Sequence, residues 1–196
     1  ELPLNFNKVD GNFFCASTGI TTLKGSPNIV SGHYDCSQNK LNSLEYAPHY
    51  IGDYFYCFNN GLTSLEYFPN HVGGDIMCTY NKLTSLEYAP KKINGKFDCR
   101  GNNLTTLVEG PTDIDGIFNC SNNPNLKTTL GFPKSINFSY IINKTQIPLE
   151  IQELDWSEFF ILINNQEDYK IWNSDLTLNT ERFNILLNDI ENGIFK

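Results

Sequence analysis

The sequence predicts an α/β solenoid, a coil of short units whose strands stack into a parallel sheet and whose end carries a few helices. Three observations predict it. The cysteines are Cys15, Cys36, Cys57, Cys78, Cys99 and Cys120, each 21 residues after the one before, and the chain has no others. Further columns keep the same step: Phe13, Tyr34, Phe55, Ile76, Phe97 and Phe118 stand two residues before each cysteine, and Thr18, Asn39, Asn60, Asn81, Asn102 and Asn123 stand three after. The register is lost after about residue 147, where apolar residues take up helical spacing. A period in the twenties with several columns in phase is the sequence form of stacked repeats.

Each unit reads in order. The aromatic residue and the cysteine alternate with their neighbours, so this stretch is a short strand with one face buried. The asparagine follows where the chain turns. Its amide both donates and accepts, and can satisfy backbone groups of adjacent turns. Two apolar columns come next: Ile20, Leu41, Leu62, Leu83 and Leu104, then Leu23, Leu44, Leu65, Leu86 and Leu107. A return segment is bounded by Pro27, Pro48, Pro69, Pro90 and Pro111, and leads to Val30, Ile51, Val72, Ile93 and Ile114. In the sixth unit one inserted residue near Pro124 moves these columns to Leu126, Leu130, Pro133 and Ile136. Tyr140-Ile141-Ile142 fits a degenerate seventh strand with Ile147 in the leucine place, and Glu1-Leu2 matches Thr22-Leu23, so the visible chain starts inside a repeat. No single turn buries its apolar face alone, so the stack is the folding unit.

Residues 1–147 are thus assigned to the solenoid and 148–196 to a helical cap. Ser157 to about Asn165 reads as a helix with Trp156, Phe159, Phe160 and Ile163 on one side. Thr180 to Glu191 reads as another, with Phe183, Leu186, Leu187 and Ile190 on one face and Gly193 as its stop. An uncapped solenoid end exposes core and strand edges, so these helices are expected to cover it.

The stretches "FYCFNNGLTSLEYFP" and "FDCRGNNLTTLVEGP" resemble the leucine-rich-repeat family, with an aromatic residue and a cysteine in two of the usual leucine places. The resemblance covers residues 1 to about 147 and is to the short bacterial and viral subtype. It implies a right-handed coil with the parallel sheet on its concave face, where the family usually holds a protein ligand. The phrase "LTSLEYAP" resembles repeat proteins encoded by large tailed phages. That implies a host protein as target, with inhibition of a defence or regulatory protein as the role. Some bacterial effectors join such repeats to a ubiquitin-ligase domain with a catalytic cysteine; this chain has no cysteine after Cys120, so that activity is not carried over.

Composition narrows the function classes. Hydrophobic residues make up 40% and the net charge is −8, of which −6 falls in residues 141–196. No basic face of the kind that binds nucleic acid is evident. No run of eighteen apolar residues suggests a membrane span and no signal segment opens the chain, although it begins at Glu1 rather than Met. Stacked cysteines lie within disulfide reach but point the same way, which sets the sulfurs wrongly for a bond. No C-x-x-C pair suggests a metal. A column of buried reduced thiols implies a reducing compartment, hence cytoplasm. The sequons at Asn103, Asn137 and Asn143 are then chance. Buried thiols are poor nucleophiles. His33, His49 and His71, the turn glycines and the Asp113/Asp115 pair form no catalytic motif, so no enzyme, cofactor or metal is expected.

The informative positions are the strand residues that face outward and vary. The third strand carries Tyr54, Tyr56 and Phe58, with Met77 on the next strand and Phe14 two strands away. Around them stand Asp35, Asp75, Lys96, Asp98 and Arg100. Apolar side chains exposed among charges are the pattern of a protein interface with hot spots. Seven strands make a face about 30 Å long, enough for one protein target. The row Glu45, Glu66, Glu87 is a second acidic strip that a basic partner would meet, or a solvated row. Coverage of the aromatics by the chain's own tail or by a second copy stays open, as does the oligomeric state. So do a virion-associated structural role and a targeting subunit for a separate enzyme.

Overall fold

In the computed structural model, Leu2, residues 7–136 and residues 140–195 are described. Glu1 and the sequon at Asn137 lie outside the described residues. The strands are β1 (Lys8–Val9), β2 (Phe13–Phe14), β3 (Ile29–Val30), β4 (Tyr34–Asp35), β5 (Tyr50–Ile51), β6 (Phe55–Tyr56) and β7 (His71–Val72). They continue as β8 (Ile76–Met77), β9 (Lys92–Ile93), β10 (Phe97–Asp98), β11 (Asp113–Ile114), β12 (Phe118–Asn119), β13 (Ser135–Ile136) and β14 (Tyr140–Ile141). Three helices follow: α1 (Leu149–Gln152), α2 (Trp156–Asn165) and α3 (Thr180–Glu191).

The architecture is a parallel β-solenoid of about six turns. The even-numbered strands β2 to β14 form one seven-stranded parallel sheet. Each residue pairs with the one 21 places on, as Phe97 does with Phe118, until the insertion carries Phe118 to Tyr140. A second ladder runs beside it along the Val/Ile column of the return segment, as β1-β3-β5-β7 and β9-β11-β13. The sequence predicts one strand in each turn. The signal of the second strand is a single buried β-branched residue after an exposed one, as in Tyr50-Ile51.

The core is a set of columns. Tyr34, Phe55, Phe97 and Phe118 are buried, and their rings continue from turn to turn: Phe13 and Tyr34 lie 5.6 Å apart, Tyr34 and Phe55 6.0 Å, Phe97 and Phe118 6.1 Å. Tyr34 takes a phenylalanine place because Ser26 Oγ, at 2.7 Å, satisfies its buried hydroxyl. All six cysteines are buried and free. Three of them donate to a carbonyl of the next strand: Cys36 to Tyr56 at 3.4 Å, Cys78 to Asp98 at 3.6 Å and Cys99 to Asn119 at 3.4 Å. Cysteine is thus a small apolar filler that also carries a weak donor.

The asparagine column is a hydrogen-bond ladder. Asn102 Nδ2 donates to Cys99 O of its own turn at 2.9 Å and to Cys78 O of the preceding turn at 3.1 Å, while its Oδ1 accepts from Leu83 N at 3.0 Å. Asn39, Asn60, Asn81 and Asn123 repeat the pattern. Each of Cys36, Cys57, Cys78 and Cys99 therefore has both carbonyl lone pairs engaged, one by each of two successive asparagines. Threonine stands in this column in the first and seventh turns, where Thr18 and Thr145 donate to Cys15 O and Ile142 O of their own turns, Thr18 Oγ1 also lying 3.2 Å from Asn39 Oδ1 of the next.

One column assignment is corrected. Leu130 is half-buried, and Thr129, fully buried, occupies the second leucine place of the sixth turn. The turn bonds fix the register: Phe132 N donates to Thr129 O as Gly110 N does to Leu107 O, and Leu130 N bonds Thr128 Oγ1 as Val108 N bonds Thr106 Oγ1. A polar residue is tolerated there because Gln166, just past α2, meets it. Thr129 Oγ1 bonds Gln166 Oε1 at 2.6 Å, and Gln166 Nε2 reaches Thr129 O at 3.2 Å.

The two longer helices fall where their spacing placed them. Asp155 and Glu158 form a reciprocal capping box that starts α2. Asn179 caps α3 through Arg182 N at 3.1 Å. Gly193, at φ 70°, follows its end. Phe159, Leu162 and Ile163 are the buried side chains of α2, so Trp156 and Phe160 stack on each other away from that stripe. Phe159 meets Phe132 of the sixth turn at 5.0 Å, which joins helices and coil in one core.

Candidate functional site

Backbone pairing arranges the outward positions of the seven-stranded sheet in rows. The row one residue before the cysteine runs Phe14, Asp35, Tyr56, Met77, Asp98, Asn119, then Ile141 of β14. The row two residues further back begins Asn12, His33, Tyr54, Asp75, Lys96. Adjacent rows and strands bring Tyr54, Tyr56, Phe58 and Met77 together, as the sequence implies. Phe14 is 65% exposed on the outermost strand, separated from Tyr56 by Asp35.

The aromatic residues form a continuous line of rings. His33 stacks on Tyr54 at 4.6 Å, Tyr54 on Tyr56 at 5.9 Å, and Tyr56 meets Phe58 at 6.2 Å. Tyr54, Tyr56 and Phe58 are half-buried, held against one another instead of projecting freely. His33 was not among the expected binding residues. Its signal lies in the period, which places it one strand from Tyr54 in the same row. Its Nδ1 lies 3.4 Å from Asp53 Oδ2.

The charged residues divide into two groups. Asp98 is fully buried, which corrects its expected exposure. Its Oδ1 turns back to accept from Arg100 N at 3.3 Å, Lys96 Nζ lies 2.9 Å from Oδ2, and Arg100 Nε lies 3.8 Å from Oδ1. The Lys96 contact is charge against charge without hydrogen-bond alignment. Arg100 also extends over Tyr80, 5.8 Å from its ring centroid. Asp35 makes the same backward turn, accepting from Ser37 N at 2.9 Å and Ser37 Oγ at 2.6 Å, but stays partly exposed. Asp75 Oδ1 accepts from Lys96 N at 2.8 Å. Ser37, Thr79, Asn119 and Ser121, which strand alternation also places on the outward side, are buried. Burial, then Asp75, Tyr54, Asp35 and Asp53, raise the Tyr56 phenol above its ordinary pKa.

Outside the sheet, Tyr46, Tyr67 and Tyr88 stand about half exposed beside Glu45, Glu66 and Glu87. Each holds a left-handed backbone, at φ 69°, 65° and 70°. This costs roughly 1–2 kcal/mol per residue without glycine. A cleft of about 310 Å³ lies apart from the sheet, lined by Lys91, Glu109, Phe132, Lys134 and Gln166 among others.

Burial pushes the Cys15 thiol up to about 11 and holds the other five well above the ordinary thiol range. Among the described residues, no group of three or more His, Cys, Asp or Glu side chains is placed to hold a metal ion, and no helix is long and apolar enough to cross a membrane. Set against models of known families, curated proteins and solved structures, the chain matches none of them.

Proposed function

We propose that this chain is a non-catalytic recognition module that binds one protein target on its seven-stranded sheet. The observation that carries this reading is the line His33, Tyr54, Tyr56, Phe58, stacked and partly exposed on the sheet's outward side. Aromatic side chains held in place by neighbours lose little conformational entropy on binding and supply large contact areas. The partly exposed carboxylates and cations around them suit a polar rim.

The finer features of the fold belong to the same reading. The solenoid is of the leucine-rich-repeat kind, coils to the right and carries this sheet on its concave side. Residues 148–196 cap its end; the Phe132–Phe159 and Thr129–Gln166 contacts support that role. Six buried free thiols favour a reducing compartment, hence cytoplasm. The "LTSLEYAP" phrase favours a phage-encoded protein acting on a host regulatory or defence protein.

The test is capture from bacterial host lysate by the wild-type chain and by a Tyr54→Ser, Tyr56→Ser, Phe58→Ser variant with an unchanged melting profile. The variant is expected to lose at least about tenfold in retained partner, since one hot spot alone is worth 2 kcal/mol or more. Equal capture by both moves recognition to the acidic helices or the Glu row. No capture by either favours a structural role.

A further inference from the structure

Two carboxylates hold the same place in their turns and differ in what surrounds them. Asp98 precedes Cys99, and Asp35 precedes Cys36. The flanking positions of Asp98's strand hold Lys96 and Arg100, which lie 2.9 Å and 3.8 Å from its two oxygens. The same positions around Asp35 hold His33 and Ser37. Asp35 pairs across the sheet with Tyr56, Asp75 stands one strand from Tyr54 in the same row, and Asp53 precedes Tyr54. Among the described residues, the ion pairs given by Asp35, Asp53 and Asp75 include no lysine or arginine; Asp53 meets only His33. The chain supplies its own cations to Asp98 and lays Arg100 over Tyr80, but among the described residues no lysine or arginine stands over the Tyr54 or Tyr56 ring.

We infer that the Tyr54 and Tyr56 rings, with the carboxylates of Asp35, Asp53 and Asp75, form a receptor for an arginine or lysine side chain of the partner protein. This rests on reading the sheet as the recognition face. A ring face attracts a cation through its quadrupole, and the attraction grows as water is excluded. Three carboxylates around partly buried rings add a field that bulk water screens less than at an open surface. The incoming side chain completes around Tyr56 the pairing that Lys96 and Arg100 complete around Asp98. An acidic residue at the same place is repelled, so the site also selects against partners.

The test titrates the full chain with tri-arginine and tri-glutamate peptides, followed by tyrosine fluorescence and calorimetry. Asp35→Asn, Asp53→Asn, Asp75→Asn removes the charges and keeps the amide oxygens that accept from Ser37 and Lys96. Glu45→Gln, Glu66→Gln, Glu87→Gln removes the same charge elsewhere. Tri-arginine is expected to bind wild type and to weaken about tenfold in the asparagine variant, which keeps the rings and loses the charge contacts, about 1.4 kcal/mol in a partly desolvated site. The glutamine variant should bind within about twofold of wild type, as expected of charges distant from the site and screened by salt, and tri-glutamate should not bind. Equal weakening in both variants, or no binding of tri-arginine to wild type, overturns the inference. A protein captured from lysate that is lost in the serine variant but kept by the asparagine variant overturns it too, while leaving the sheet as the recognition face. A captured protein kept by both removes the face itself.

Discussion

Replacing Asn102 with alanine is expected to cost about 3 kcal/mol, read as a shift in the urea or thermal midpoint of unfolding. Buried groups left without partners cost roughly 1–3 kcal/mol each. Asn102 is 2% exposed, and Leu83 N loses its acceptor when it is removed. Cys78 O and Cys99 O keep only Asn81 and Asn123 respectively. The defect sits mid-coil, where both neighbouring turns depend on it. Threonine at the same position should recover part of the loss, because Thr18 and Thr145 each satisfy the carbonyl of their own turn. A cost below about 1 kcal/mol for the alanine variant, the value of an ordinary net hydrogen bond, would mean that the ladder does not hold the turns together.

The second large effect is loss of stability in alkali. An unfolded thiol titrates near 9.0, whereas folded Cys15 stays protonated to about 11 and Cys36, Cys57, Cys78, Cys99 and Cys120 are held well above the ordinary value. Above pH 9 the unfolded chain releases protons that the folded chain keeps. The folded state then binds more protons, and stability falls as pH rises. The contribution is fully present below pH 9 and is lost progressively above it. Each thiol removes about 1 kcal/mol per pH unit in that window. Six together remove roughly 6–8 kcal/mol by pH 10, comparable to the whole margin of a typical domain. Urea unfolding measured at intervals between pH 7 and 11 should show a level region and then a steep fall. Alanine at Cys57, Cys78 and Cys99 should roughly halve the slope, since half the thiols are gone. A level profile to pH 11 would contradict burial of the column.

The coil was legible because every turn restates the same requirement. Cys36, Cys57 and Cys78 are buried for one reason repeated at one interval, and a single shift of register would expose the whole column. The two longer helices were legible from the spacing of their apolar residues, as Phe183, Leu186, Leu187 and Ile190 show in α3, and from Gly193 as a stop; the caps Asp155 and Asn179 emerge only in the structure. The second ladder was harder to read, because a strand such as β5 offers one buried side chain, Ile51, whereas Phe55 of β6 is followed two residues on by buried Cys57, which makes the alternation countable. Thr129 is not recognisable as a core residue from the sequence because its burial is satisfied by Gln166, 37 residues away. Leucine identity drew the register to Leu130 instead. At the site, Tyr54, Tyr56 and Phe58 were legible as outward residues from parity alone. The burial of Asp98 was not, since it depends on how far the Lys96 and Arg100 side chains fold back over it.

Recognition on the seven-stranded sheet is tested most directly by photo-crosslinking from two tyrosine positions. Benzoylphenylalanine is placed at position 56, inside the ring line, or at position 67, on the exposed row outside the sheet. Each chain is exposed to the protein that the wild type captures. The expected result is a covalent adduct from position 56 and none from position 67. An adduct from position 67 alone would contradict recognition by the sheet and assign it to the Tyr46, Tyr67, Tyr88 row.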